Sequence, residues 1–191
     1  MNDLPDCSDP GPLVEEIGRL RAELARLEQR IEDLDQLAHH DSLVPLPNRR
    51  GFIRQLETLI DRTRRYGDGG AMLFVDVDGL KMLNDSFGHH AGDAALVHIA
   101  ELLVGGVRQS DCVARFGGDE FAILLERADE AQAEETAARL ADQIAGCEFV
   151  HQGRAIPLSA AIGIAMIDRD DRPEAVIDRA DRAMYEEKAA A

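Results

Sequence analysis

Two adjacent carboxylates, Asp119 and Glu120, follow two glycines, Gly117 and Gly118, between apolar runs at 112–116 and 121–125. Carboxylate oxygens are hard ligands, and a pair exposed at a hairpin tip can hold a hard divalent cation. A second acidic set, Asp76-Val77-Asp78, ends the apolar run 71–77. Oxygens gathered from both places would suit Mg²⁺, which takes few ligands from protein and the rest from water and phosphate. Two such ions can clamp the attacking and leaving oxygens of an in-line phosphoryl displacement. Taken singly, each set also reads as a solvated turn or strand end with ordinary surface acids. Only their meeting would make chemistry, so the intervening elements decide the matter.

Those elements can be read along the chain. Residues 1–12, rich in Asp, Pro and Gly, predict a disordered lead-in, and Pro12 stands where a helix could begin. Leu13, Ile17, Leu20, Leu24, Leu27, Ile31, Leu34 and Ala38 then alternate in steps of four and three. That is a heptad seam, with Ile17, Leu24, Ile31 and Ala38 at a and Leu13, Leu20, Leu27 and Leu34 at d. In a parallel dimer Glu16 would attract Arg21, Arg30 would attract Asp35, and Glu23 would repel Glu28. The unbroken period predicts a parallel homodimeric coiled coil over 13–40. A lone amphipathic helix packed on its own domain is the alternative.

A domain over 41–191 follows. Pro45 and Pro47 force extended backbone, and Asn48 is placed to cap a helix over 49–66 with Phe52, Leu56, Leu59 and Ile60 inward. A buried strand at 71–77 precedes a polar stretch containing Asn84, Asp85 and Gly88. A helix is expected over 91–107, with Leu96, Ile99, Leu102 and Leu103 apolar. Gly117 and Gly118 predict a primed hairpin turn, whose central positions need positive φ. A helix at 131–144, strands around 149–150 and over 156–167, and a helix at 173–188 complete the order. This is an α+β pattern of the ferredoxin-like kind, with helices on one face of an antiparallel sheet. Its topology sets the first strand beside the hairpin, bringing Asp76 near Asp119 and Glu120.

Composition narrows the chemistry. Hydrophobic residues make up 45% of the 191, enough for a core, and the 4% of aromatics without Trp make it aliphatic. With 37 acids against 21 bases the net charge is −16, which excludes a nucleic-acid partner gripped through its phosphates by Lys and Arg. It leaves open a nucleotide bound through a divalent metal. Cys7, Cys112 and Cys147 are scattered and odd in number, as expected of reduced thiols in a cytoplasmic protein. Neither a membrane-length apolar run nor a signal peptide is present, so no membrane partner is expected.

Several ordered motifs now stand together: Leu46-Pro47-Asn48-Arg49-Arg50, Asp76-Val77-Asp78, Lys81, Asn84-Asp85, Gly88-His89, Gly92-Asp93, Arg115, Gly117 to Phe121, Ser159 with Gly163, Ala180-Asp181 and Ala183-Met184-Tyr185. Over 41–188 the chain resembles the GGDEF-domain diguanylate cyclases. The resemblance implies the palm-type sheet shared with nucleotidyl cyclases and polymerases, preceded here by a long coiled-coil helix. It implies two Mg²⁺ per active site, with Mn²⁺ as an alternative, held by Asp76, the Val77 carbonyl and Asp119. Asp119 or Glu120 would help deprotonate the GTP 3′-hydroxyl, both lying beside the same cations. Asn84 and Asp93 would read guanine, with His89 lining the pocket. Backbone amides at Gly79 and Leu80 would cradle phosphates, Lys81 would stabilise developing charge, and Lys188 would belong to the substrate-binding set. The implied reaction joins two GTP into cyclic di-GMP plus two pyrophosphates across a homodimer. Arg108 and Asp111, an R-x-x-D pair, resemble the family's product-inhibition site, to which Arg139 could contribute.

Three departures carry expectations of their own. Val44 and Pro45 replace the family's usual Thr-Gly, which bears on coupling between stalk and domain. Gly79 stands where Phe is common, a change the backbone contacts should tolerate. The chain ends at Ala191, where the family continues to a phosphate-gripping Gly-Arg, so weaker triphosphate binding is expected. A non-catalytic effector binding cyclic di-GMP at Arg108 and Asp111 is the alternative function, and a coiled-coil scaffold with an inert domain the third.

Overall fold

The structure is a computed structural model describing residues 11–190. The chain divides into two compact units at residue 38. Helix α1, Gly11–His39, forms the first unit and extends one residue past it. Residues 1–10 of the expected lead-in lie outside the described residues, whereas Gly11 and Pro12 already belong to α1. Seven residues of the seam, Leu13, Ile17, Leu20, Leu24, Leu27, Ile31 and Leu34, are between 49% and 68% exposed, and Ala38 is half-buried. An apolar stripe left this open carries a large solvation penalty until something covers it.

The second unit begins with a loop over residues 40–48 and then α2, Arg49–Tyr66, which has the bounds expected from the sequence. The Asn48 side chain accepts from the backbone of Arg50 and Gly51, and Phe52, Leu56, Leu59 and Ile60 are buried as their spacing required. There follow β1 (Gly70–Val77), α3 (Leu80–Phe87), α4 (His89–Gly105), β2 (Cys112–Arg115), β3 (Glu120–Glu126), α5 (Glu130–Ala145), β4 (Phe149–His151), β5 (Arg154–Ile156), β6 (Ala160–Ile167) and α6 (Pro173–Ala190). The main sheet has the order β2-β3-β1-β6, and all its pairs are antiparallel. This is the ferredoxin-like arrangement, with the small β4–β5 hairpin added.

Helices cover both faces of the sheet rather than one. Leu73, Val75, Val77, Ile123 and Leu125 enter a core with α4 and α5. Met72, Phe74, Ala122 and Leu124 alternate into a second core with Phe52, Leu56 and Leu59 of α2 and Val176, Ala180 and Met184 of α6. A strand buried on both faces reads as a continuous apolar run, and for that reason residues 71–77 carry no polar alternation.

Three other expectations change. The polar stretch after β1 is helical, as α3, with Leu83 its buried residue. One fully buried side chain, with Leu80 and Phe87 half-buried against the same core, makes only a weak periodic signal. Gly88 joins α3 to α4 at φ 84° and ψ 162°, a conformation nearly confined to glycine. The strand expected over 156–167 is broken after Ile156, and β6 starts at Ala160. Pro157 stands in the break and has no N–H for a ladder. The primed turn lies at Gln152 and Gly153, with φ 50° and 74°, between the paired His151 and Arg154. Gly117 and Gly118 have no positive φ; their hairpin is the longer loop from Phe116 to Glu120, closed by Phe116 N–H to Glu120 O at 2.8 Å.

Gly163 sets how closely α6 approaches β6. A Cβ there would stand 2.7 Å from Met184 Cα, with the Ala180 carbonyl and Met184 amide nearer still. Backbone on one side and sheet on the other leave no flexible group to yield. Gly163→Ala is therefore expected to destabilise the protein by roughly 1–3 kcal/mol, the usual cost of overpacking a tight core, measured as a lowered urea midpoint with unchanged m.

Candidate active site

The β1–β3 register puts Asp76 directly opposite Glu120. Residues so paired project from the same face with Cβ atoms about 5 Å apart. That face is the one bearing Met72, Phe74, Ala122 and Leu124, so both acids emerge where α2 and α6 cover the sheet. One residue on, Val77 N–H donates to the Asp119 carbonyl at 3.0 Å, tying the signature loop to the end of β1. The Val77 side chain is buried in the opposite core, leaving its carbonyl as the group it could offer a ligand. Gly117 has a local reason to lack a Cβ: one would stand 2.7 Å from Glu120 Oε2, against the carboxylate itself.

Charges crowd this corner. Burial raises the proton affinity of Glu120, and the carboxylates of Asp119, Asp76 and Asp181 raise it further, with Arg49 opposing them. Arg49, the first residue of α2, lies over the Phe116 ring, 5.0 Å from its centroid. Lys188, near the end of α6, bonds Asp76 and lies 3.4 Å from Asp78. Asp76 is the first cause of the raised Lys188 pKa. Asp78 is also held by Ser159, whose hydroxyl donates to it at 2.9 Å. Arg49, Asp181 and Ser159 stood in the sequence motifs without an assigned part, and only their convergence on the acids gives them one.

Among the described residues no three His, Cys, Asp or Glu side chains close into a ready metal cage. The donors present still fit a hard cation. Asp76, the Val77 carbonyl and Asp119 supply two carboxylates and a carbonyl, and an ammonium already sits on Asp76 as a stand-in positive charge.

The residues expected from the sequence to bind nucleotide lie on and just before α3 and on α4. Gly79, at φ 68°, turns the chain from β1 into α3, so Leu80 and Lys81 open that helix, Lys81 exposed. Asn84 sits in its last turns, and its Oδ1 is buried without a hydrogen-bond partner. His89 begins α4, and Asp93 lies one turn on, both exposed. The R-x-x-D pair is elsewhere. Arg108, Asp111 and Arg139 line one cleft of about 360 Å³ between the end of α4 and α5. Asp111 accepts from the backbone of Arg108 at 2.9 Å and of Glu126 at 3.1 Å, and Arg139 Nη1 donates to Gly106 O at 2.7 Å.

Arg115 links this site to the loop that follows α1. Its backbone N–H donates to Pro47 O at 3.0 Å; Nη2 donates to Gly118 O at 2.8 Å and Nη1 to Asp41 Oδ1 at 3.0 Å. Asp41 Oδ1 also accepts from the amides of Leu43 and Val44 at 2.9 and 3.1 Å. Val44 and Leu46 are buried, so the loop keeps an anchored form with Val44-Pro45 in place of Thr-Gly.

Comparison with known proteins identifies the family and the fold. The sequence profile described as "Diguanylate cyclase, GGDEF domain" matches residues 38–191. Diguanylate cyclase DgcP of Pseudomonas aeruginosa is 37% identical over 180 residues, 93% of this chain and 26% of DgcP. Diguanylate cyclase TpbB of the same species is 42% identical over 166 residues, 84% of this chain and 38% of TpbB. The solved GGDEF domain of TpbB superimposes with a TM-score of 0.76 at 41% identity, covering 80% of this chain and 90% of that one. The coiled coil and GGDEF domain of DgcB from Caulobacter crescentus, solved with c-di-GMP, shares the fold at a TM-score of 0.87 and 23% identity, covering 94% and 95% of the two chains. The chain thus spans 26% and 38% of the lengths of DgcP and TpbB. Among the described residues no helix is long and apolar enough to cross a membrane.

Burial pushes the Asp41 carboxyl up, but the Leu43 and Val44 amides and the Arg115 guanidinium outweigh it and hold it below its ordinary value. A carboxyl depressed by folding adds stability above its unfolded pKa and loses it as pH falls through the folded value. Asp41→Asn is therefore expected to cost roughly 1.5–3 kcal/mol at pH 7, as for a hydrogen-bonded charge. Parallel urea titrations of the two proteins should converge as pH is lowered below the carboxylate range.

Proposed function

The chain belongs to the GGDEF diguanylate cyclase family, and from that premise we propose that it condenses two GTP into cyclic di-GMP and two pyrophosphates. The observation carrying this reading is the register that sets Asp76 opposite Glu120, with Asp119 tied to Val77. Asp76, the Val77 carbonyl and Asp119 would hold two Mg²⁺, or Mn²⁺ in their place. When bound, these ions supply positive charge to the triphosphate and lower the proton affinity of the 3′-hydroxyl.

The chain's own residues bind, orient and move one proton. Gly79 and Leu80 present backbone amides to the phosphates at the start of α3, Lys81 offsets developing negative charge, and Lys188 joins the substrate-binding set. For that, Lys188 leaves Asp76, which then becomes free as a ligand. Asn84 and Asp93 accept from guanine N–H groups, and His89 lines the pocket. A buried acceptor left unpaired by the wrong base is a strong basis for rejecting it. The 3′-oxygen of each GTP attacks the α-phosphorus of the other, the bond to pyrophosphate breaks, and Asp119 or Glu120 takes the hydroxyl proton. The raised proton affinity of Glu120, caused by burial and neighbouring acids, suits an acceptor.

One domain holds one GTP, so the reaction needs two domains face to face. The exposed seam of α1 supports a parallel homodimer, which holds the two domains at high effective concentration. The Arg108–Asp111–Arg139 cleft supports product inhibition, because a guanidinium can bond guanine O6 and N7 together. The same cleft would serve a non-catalytic binder of cyclic di-GMP.

Incubating purified protein with GTP and Mg²⁺ separates these readings. Cyclic di-GMP is expected, with Asp119→Asn and Glu120→Gln each lowering turnover by about 100-fold or more at unchanged circular dichroism. Absence of product from the Arg108→Ala variant, where feedback is removed, would leave only the binding role. Removing residues 1–38 should give a monomer by light scattering and a slow enzyme. A truncated protein that keeps the mass of a dimer contradicts the part given to α1.

A further inference from the structure

We propose that Gly92 is a specificity-determining residue of this chain, acting by leaving the space in which the Asn84 side chain lies. The inference rests on the guanine-pocket reading above and assigns a part to a residue that touches no nucleotide. Helices α3 and α4 fold back on each other about Gly88, and Gly88 N–H donates to Asn84 O at 2.8 Å. This brings the end of α3 against the first turn of α4. Gly92 is buried there. A Cβ on it would stand 2.9 Å from Asn84 Cγ and 3.1 Å from Nδ2, and closer still to Oδ1.

Gly92 is not among the glycines at positive φ, so the backbone would accept any residue at this position. In a helix glycine is disfavoured relative to alanine, so local preference argues against it as well. What the position requires is clearance, and all three of the nearest atoms to the missing Cβ belong to Asn84. Asparagine χ1 occupies discrete wells, so a methyl at 92 would move the amide to another rotamer. The atom nearest the missing Cβ is Oδ1, the buried acceptor with no partner in the protein. Such an acceptor is satisfied when a ligand brings a donor. Guanine offers N–H groups at N1 and the exocyclic amine, which adenine does not present together. Gly92 thereby sets where the acceptor sits, and with it which base completes the corner.

The test is equilibrium binding of 3′-deoxy-GTP and 3′-deoxy-ATP to the full chain with Mg²⁺, since neither analogue can react. Wild type should prefer the guanine analogue. Gly92→Ala is expected to weaken 3′-deoxy-GTP by roughly ten- to a hundred-fold, as for a methyl forced into a packed site, and to leave 3′-deoxy-ATP unchanged. In an Asn84→Ala background the same substitution should have no further effect, the signature of one shared contact. Wild-type 3′-deoxy-GTP affinity in Gly92→Ala, equal losses for both analogues, or additive losses in the double variant would each overturn the proposal. Wild type without a guanine preference would overturn the pocket reading and this inference with it. If Gly92→Ala fails to fold, a folded Asn84→Ala/Gly92→Ala protein supports the clash with Asn84, and an unfolded one overturns it.

Discussion

Strand β1 lies between β3 and β6, with its side chains divided between two cores, and its pairing with β3 sets Asp76 opposite Glu120. Because both faces are apolar, hydrophobic alternation alone would tolerate a slip of one residue. Charge does not tolerate it: a slip turns every side chain over, and Asp76 would enter the α4–α5 core, where an unpaired carboxylate is costly. The loop from Phe116 to Glu120 and the second ladder, to β6, hold the same register from either side. The acids therefore converge through backbone hydrogen bonds far more numerous than the contacts in the site itself.

Around that ladder, close approaches of main chain refine the geometry. Gly163 lets α6 settle on β6, and α6 carries Asp181 and Lys188 to the acids. Gly117 leaves room for the Glu120 carboxylate, and Gly92 for the Asn84 amide. In each case the missing Cβ makes space for a particular neighbour and does not serve an unusual φ. Arg115 does related work with charge, since one side chain holds both the Asp41 loop and the Gly118 carbonyl of the signature loop. A single guanidinium thus joins the two loops.

The protein's net charge of −16 would repel a triphosphate unless cations intervene. The site shows how the conflict is managed locally. Burial and the acids near Glu120 raise its proton affinity, while Lys188 lies on Asp76 and Arg49 opposes the negative field from α2. Positive charge brought to such a cluster relieves the repulsion among its carboxylates.

Much of this was legible in the chain because it is periodic or local. The heptads of α1, the cap and inner face of α2 from Asn48 to Ile60, the apolar run of β1 and the neighbourhood of Asp76 with Asp119 and Glu120 all follow from spacing and motif order. The features that escaped depend on what lies across space. Helix α3 has one buried residue to announce it, and the break at Pro157 lies inside an apolar stretch. The primed turn belongs to Gln152-Gly153 because loop length, not the presence of Gly-Gly, selects turn type. The second layer of helices, the seat of Lys188 on Asp76 and the clearance at Gly92 involve residues from separate elements. The sequence by itself determined which side chains could bind a metal and a guanine, since chemistry is a property of residue type. Only the tertiary structure decided which atoms crowd each of them, because a missing Cβ or a stray ammonium acts through distance, and distance between elements is set by packing.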